Sequence, residues 1–186
     1  MKAILAKKPH LEYIVFDWRG RKQTMATAHL IGLTEPLEIK KIFCIGRNYA
    51  DHAKEMNAAI PEAPIFFLKP STAIIGEGEA IRIPSISKDL HHEIEMTVLI
   101  GRGGKNILKG NALNHVAGYG IGLDMTLRDV QIDAKKKGLP WTLAKGFDTS
   151  APISHFVPAE EISDPHALEV RLDVNGATRQ YSSTSN

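Results

Sequence analysis

Glu93 and Glu95 stand two residues apart in the run His91-His92-Glu93-Ile94-Glu95-Met96-Thr97-Val98-Leu99-Ile100. In an extended strand, residues two apart share a face, so both carboxylates project together, and Ile94, Met96, Val98 and Ile100 are expected to pack on the opposite side. Two carboxylates side by side on an apolar strand repel, and burial raises the cost of ionising both. A cation between them removes that conflict. Asp124 falls at the end of a separate predicted strand and supplies a third oxygen. Three oxygen donors without a thiolate suit a hard ion such as Mg²⁺ or Mn²⁺, and leave positions open for a chelating substrate and water. The other reading of Glu93 and Glu95 is an exposed strand face carrying two solvated acids.

Three carboxylates and one divalent ion leave a net charge of about −1, which repels an anionic keto acid unless lysine or arginine compensates. Lys69, Arg128 and Lys145 are the candidates. Arg128 and Gln131 lie three apart on a predicted helix, hence on one face of its first turns, where the helix N-terminus favours a carboxylate. On spacing alone, Arg128 reads first as an ordinary surface charge paired with Asp124 or Asp129. His52 and Glu55 are also three apart, on a predicted helix after Asn48, where Glu55 could orient the imidazole as a general base on water. The alternative there is a solvated helix face. Gly101-Arg102-Gly103-Gly104 lacks the Lys-Ser/Thr of a phosphate loop, and Gly118-Tyr119-Gly120-Ile121-Gly122 is not a dinucleotide fingerprint. His91, His92, His115 and His155 form no metal-ligand spacing.

The elements that must position these residues are mostly strands. Residues 11–16 and 24–30 read as an N-terminal strand pair split by Arg19-Gly20-Arg21-Lys22, and 42–45 as a compact apolar strand leading to a helix at 49–57 with Asn48 as N-cap. Strands follow at 65–68, 73–75, 93–100 and 116–125; in the last of these, Gly118, Gly120 and Gly122 share a face and admit another backbone or a ligand. Leu127, Val130 and Ala134 fall at helical spacing, which predicts a helix over 127–137 with Thr126 as N-cap, Gly138 beyond its last turn and Pro140 after it. Residues 153–157, 168–174 and 177–181 complete the strands, the last two joined by the hairpin dipeptide Asn175-Gly176.

A chain of 186 residues with 43% hydrophobic content buries one sizeable core, not two full domains. The expected division is an appendage over 1–40 and a main domain over 41–186. Basic and acidic residues nearly cancel, 23 against 21, with no Lys/Arg tract interleaved with aromatics, which argues against nucleic acid. Cys44 is the single cysteine, so neither an intrachain disulfide nor a thiolate cluster can form. Charged residues interrupt the first twenty positions before any apolar run reaches membrane-spanning length. A cytoplasmic protein without membrane association is expected.

Taken in order, Phe43-Cys44-Ile45-Gly46-Arg47-Asn48-Tyr49-Ala50-Asp51-His52, Phe67-Leu68-Lys69-Pro70, His91-His92-Glu93-Ile94-Glu95, Gly118-Tyr119 through Asp124-Met125-Thr126-Leu127-Arg128-Asp129-Val130-Gln131, and Ala144-Lys145-Gly146-Phe147-Asp148 resemble the fumarylacetoacetate hydrolase family. The likeness is closest to its small acylpyruvase and oxaloacetate decarboxylase branch. It implies a mostly-β fold with short helices, a mixed β-sheet roll, usually a homodimer. It also implies Mg²⁺ or Mn²⁺ on Glu93, Glu95 and Asp124, with Lys145 as active-site lysine and His52 with Glu55 as a catalytic pair on a lid. Arg47, Tyr49, Lys69, Arg128 and Gln131 would match substrate-binding positions. The implied activity is metal-dependent cleavage of a carbon–carbon bond in small β-dicarbonyl acids, by acylpyruvate hydrolysis or oxaloacetate decarboxylation. A keto–enol isomerase of aromatic catabolism and a non-catalytic metal-binding relative are the alternatives. Family members continue past the position of Asn186 into strands bearing Thr-Gly-Thr-Pro, so a roll short of its last strands is expected, from a truncated product or part of a longer protein.

Overall fold

A computed structural model describes residues 26–46, 48 and 63–185. Strands dominate, as expected, and the α-helices among the described residues are Arg128–Lys136 and Thr142–Lys145. At the centre, strand Ile94–Ile100 pairs antiparallel with Val116–Leu123, which carries Val157–Pro158 on its other edge. The register sets Glu95 opposite Gly122 and Ile94 opposite Leu123.

The row of glycines on Val116–Leu123 exists because another backbone crosses it, as the two-residue alternation predicts. A Cβ on Gly118 would stand 2.6 Å from the Val157 carbonyl oxygen, an atom with no freedom to retreat. Gly118→Ala should therefore lower stability by about 1–3 kcal/mol, the range for overpacking, read as a shift in urea midpoint. An unshifted midpoint would mean that the 152–158 segment is not seated there.

One expectation for the acidic strand is corrected. Val98 and Ile100 are 41% and 62% exposed, whereas Leu99 is 6% exposed and packs with Ala28 and Phe156 in the core. The face bearing Glu95 and Thr97 is thus the inner one. The chain from residue 26 supplies the cover: Thr27–Ala28 pairs with Leu37–Glu38, Leu30 bridges Phe156, and Ile31 N–H donates to the Phe156 carbonyl at 2.9 Å. The expected strand at 11–16 lies outside the described residues.

Ile42–Gly46 and Ile65–Lys69 form an antiparallel pair that turns Cys44 and Lys69 inward and leaves Phe43, Phe66 and Leu68 exposed. Leu90–His91 pairs with Thr126–Leu127, and the helix starts one residue later than expected, at Arg128. Thr126 is not its N-cap: it is fully buried in the strand, and its hydroxyl donates to the Asp124 carbonyl at 3.1 Å. The helix start is satisfied instead by Arg128 N–H on the Asp89 carbonyl and by the Asp129 carboxylate, which accepts the Val130 N–H. Gly138, with φ +65°, closes the C-terminal end as expected.

The strand expected at 153–157 does not form: Ile153 makes only an isolated bridge to Gly122, and two short strands flank the segment. Ala151–Pro152 runs parallel to Ile74–Ile75, and Val157–Pro158 joins the central sheet. Thr149, just before it, holds φ +70°, unusual for a β-branched residue, and its Oγ1 accepts the Arg82 N–H at 2.8 Å. Glu169–Val174 and Ala177–Ser183 form the predicted hairpin; Asn175 and Gly176 have φ 53° and 78°, the paired positive values of a type I′ turn. Its register shifts between Leu172, opposite Gln180, and Asp173, opposite Thr178, leaving Arg179 as a bulge.

Candidate metal centre

Two backbone bonds bring the acids together. Asp124 N–H donates to the Glu93 carbonyl at 2.8 Å, which locks the end of one strand to the start of the other, and Met125 N–H donates to the Ser150 carbonyl at 3.1 Å. Oxygens of Glu93, Glu95 and Asp124 then lie within 4.8 Å of one another. Asp124 is 5% exposed and the Glu93 side chain 19%, so these are not solvated acids on an open face.

Three cations meet them. Lys145, on the short helix and buried, places Nζ 2.7 Å from Glu93 Oε2 and 2.5 Å from Asp124 Oδ2. Lys69 Nζ lies 2.9 Å from Asp124 Oδ1 and also donates to the carbonyls of Met125 and Lys145. Arg128 donates from Nη2 to Glu93 Oε1 and from Nη1 to Gln131 Oε1, the latter at 2.6 Å. Arg128 is therefore not the surface charge that spacing alone allowed. Asp129 turns away to Ser87 Oγ and the Lys88 N–H.

The charges do not cover all three acids equally. Burial would raise the Glu93 carboxyl, but Lys145 and Arg128 overcome it and hold it at about 2. Glu95 has no hydrogen-bond or ion-pair partner among the described residues; burial first, then the neighbouring Asp124, push it up to about 8. Lys69 is pulled down by burial, against the opposing pull of Asp124.

A carboxylate that keeps its proton to about 8 when folded, but releases it near 4.5 when unfolded, costs the fold stability as pH rises through that window. The full loss is reached above pH 8 and is at most about 5 kcal/mol at 1.36 kcal/mol per unit. In EDTA, Glu95→Gln should accordingly be more stable than the parent at pH 9 and close to it at pH 5, measured by urea unfolding. Parallel pH profiles would show that Glu95 is not the strained acid. Glu93 has the opposite sign, adding stability above its ordinary range that is lost as pH falls from about 4.5 to about 2.

The donor set fits a hard divalent cation: three carboxylate oxygens converge, one acid has no partner among the described residues, and no competing thiolate is available. Cys44 lines the same cavity, and burial, with Asp124 adding to it, pushes its thiol up to about 12. A cavity of about 510 Å³ reaches this group, lined in part by Ile42, Cys44, Lys69, Glu95, Leu99 and Asp124. Of the residues singled out in the sequence, Glu93, Glu95, Asp124, Lys69, Arg128, Gln131 and Lys145 come together. Arg47, Tyr49, His52 and Glu55 lie outside the described residues. Ser150 escaped sequence reasoning: fully buried, its hydroxyl donates to the Lys145 carbonyl at 3.0 Å. Its only sequence signal is its place five residues after Lys145.

Residues 41–186 match the family described as Fumarylacetoacetate (FAA) hydrolase C-terminal. The chain belongs to the fumarylacetoacetate hydrolase family. Within it, the rat protein named oxaloacetate tautomerase FAHD1, mitochondrial, is 55% identical over 146 residues, which are 78% of this chain and 66% of the rat protein. The human protein of that name is 52% identical over the same length. The chain thus spans just under two thirds of these family members. Among solved structures, fumarylpyruvate hydrolase from Pseudomonas aeruginosa in complex with Mn²⁺ and pyruvate superposes with TM-score 0.81 at 36% identity, over 90% of this chain and 74% of that one. 5-carboxymethyl-2-hydroxymuconate delta-isomerase from Mycobacterium smegmatis gives 0.68 at 41% identity, over 81% and 57%. Among the described residues no helix is long and apolar enough to cross a membrane.

Proposed function

We propose that this chain enolises a small 2-oxo acid of the oxaloacetate and acylpyruvate type at a Mg²⁺ or Mn²⁺ site formed by Glu93, Glu95 and Asp124, with carbon–carbon cleavage following where the substrate permits. The observation that carries it is the convergence of three carboxylates, one without a partner among the described residues, beside a buried lysine. The Mn²⁺ and pyruvate in the Pseudomonas relative and the tautomerase name of the rat and human relatives support the same reading. Isomerisation, decarboxylation and hydrolysis share one early demand, stabilising negative charge on a keto oxygen.

When bound, the ion supplies a Lewis acid for that oxygen. The protein's own groups do the rest. Lys145 Nζ, held between Glu93 and Asp124, moves the proton at the substrate carbon. Arg128 and Gln131 work from behind Glu93, and Lys69 from behind Asp124, fixing the carboxylates rather than gripping substrate. Arg47 and Tyr49 bind the substrate carboxylate end, and His52 oriented by Glu55 activates the water that hydrolysis alone requires. Residues 41–186 carry this chemistry, 26–40 cover their core, and the working form is a homodimer.

The test is incubation with oxaloacetate and with acetylpyruvate, each with Mn²⁺ and with EDTA. Ultraviolet absorbance follows the keto and enol forms, and chromatography follows pyruvate. Metal-dependent conversion of either acid supports the proposal; no conversion of both, by a folded chain that binds Mn²⁺, rejects it in favour of a non-catalytic relative.

A further inference from the structure

Among the described residues, the strand that begins at the acid pair has an open edge beside it, and one residue from a distant hairpin closes that edge. Val116–Leu123 occupies one side of Ile94–Ile100, and among the described residues no strand is hydrogen-bonded to the other. Because Asp124 N–H donates to the Glu93 carbonyl, the pleat turns the next N–H, that of Ile94, to the open edge. That N–H belongs to the peptide joining Glu93 to Ile94, on the residue that separates the two acids. Gln180 accepts it through Oε1 at 2.9 Å.

Gln180 reaches this position by way of a bulge. Counting back from the two-residue turn, Asp173 faces Thr178, so a regular ladder would set Leu172 opposite Arg179 and Gln180 on the outward face with Arg171. The extra residue at Arg179 shifts the register, and Gln180 comes opposite Leu172, on the face that carries Val170, which is 2% exposed. Bulges next to sites commonly re-aim one side chain. Here the side chain re-aimed is the one that satisfies a backbone donor between two acids.

We propose that Gln180 is a positioning residue for the acid pair: by accepting the Ile94 N–H, it fixes the strand entry so that the Glu93 and Glu95 carboxylates converge with Asp124. This rests on the metal-site reading above. Without that acceptor, the Ile94 peptide is free to tilt toward water, and the two flanking carboxylates tilt with it. Outer partners of metal ligands typically change affinity by about 10–100-fold when removed.

The experiment measures Mn²⁺ binding by electron paramagnetic resonance of the free ion, with the melting temperature of each variant alongside. Gln180→Leu removes the acceptor; Gln180→Asn, one methylene shorter and milder for folding, fails to reach it; Gln180→Glu restores an acceptor at full length. Val170→Ala loosens the same hairpin without touching the bond. The expected result is Mn²⁺ affinity about 10-fold weaker in the leucine and asparagine variants and restored in the glutamate variant. Val170→Ala should lower the melting temperature at unchanged affinity. Parent-like affinity in Gln180→Asn, or equal weakening in Val170→Ala, overturns the positioning role while leaving the metal site standing. Failure of the parent itself to bind Mn²⁺ overturns both.

Discussion

Asp124→Asn is expected to remove Mn²⁺ binding and to lower turnover of any 2-oxo acid substrate by about 10³-fold or more, equivalent to the several kcal/mol that a Lewis acid contributes. The same change should destabilise the metal-free chain. Asp124 is the shared partner of two buried ammonium groups, Lys69 on Oδ1 and Lys145 on Oδ2. Asparagine keeps the shape but removes the charge, and breaking a buried pair from one side costs about 3–5 kcal/mol because the partner charge stays buried. Two measurements are needed, a Mn²⁺ titration and a urea unfolding curve in EDTA. If stability falls but Mn²⁺ binds as before, Asp124 is a structural counter-ion only, and the three-carboxylate centre is wrong.

Lys145→Met should move two quantities in opposite directions. The ammonium stands between Glu93 and Asp124, so a divalent ion at those acids meets its repulsion; at an effective dielectric of about 20, two unit charges 4 Å apart interact by about 4 kcal/mol. Removing it should tighten Mn²⁺ binding by about 10-fold or more, even after solvent and neighbouring charges screen most of that term. Turnover should nonetheless fall by about 10²–10⁴-fold, the usual contribution of a positioned proton carrier. Methionine retains a stem of similar length against Phe67, whose ring centroid is 5.0 Å from Nζ, so packing is a minor variable. Calorimetry with Mn²⁺ and initial rates at saturating metal give the two readings. Weaker binding together with slower turnover would mean that Lys145 organises the acids instead of competing with the ion.

The sequence made the acids legible for a local reason. Glu-x-Glu on a strand is a two-residue pattern, and the charge conflict it creates follows from residue type alone. Asn175-Gly176, the glycine row and the spacing of Leu127, Val130 and Ala134 were readable on the same basis, each being short-range. Inside and outside were harder. Strand alternation separates two faces but does not name the buried one, and the apolar Val98 and Ile100 face lost the core to Leu99, whose partner Ala28 lies about seventy residues earlier. Charge pairing was harder still. Three acids and three cations could be counted, but the assignment of Arg128 to Glu93 and of Lys69 to Asp124 depends on how distant strands close. Gln180 was invisible for the same reason, compounded by a bulge that reverses the expected parity.

The conformation of Thr149 bears on how the molecule would fail under heat. A threonine at φ +70° holds free energy of the order of 1–3 kcal/mol that its surroundings must restrain, and it sits between Ser150, which supports the Lys145 carbonyl, and the Asp148 end of the turn after Lys145. Once thermal motion frees the Arg82 N–H from its hydroxyl, only the Ser150 N–H on the Phe147 carbonyl and the Ser150 hydroxyl on the Lys145 carbonyl hold that turn against relaxation. Warming would then blunt the chemistry at Lys145 some degrees before the β-sheet itself melts, and the temperature of half-activity would lie below the unfolding midpoint.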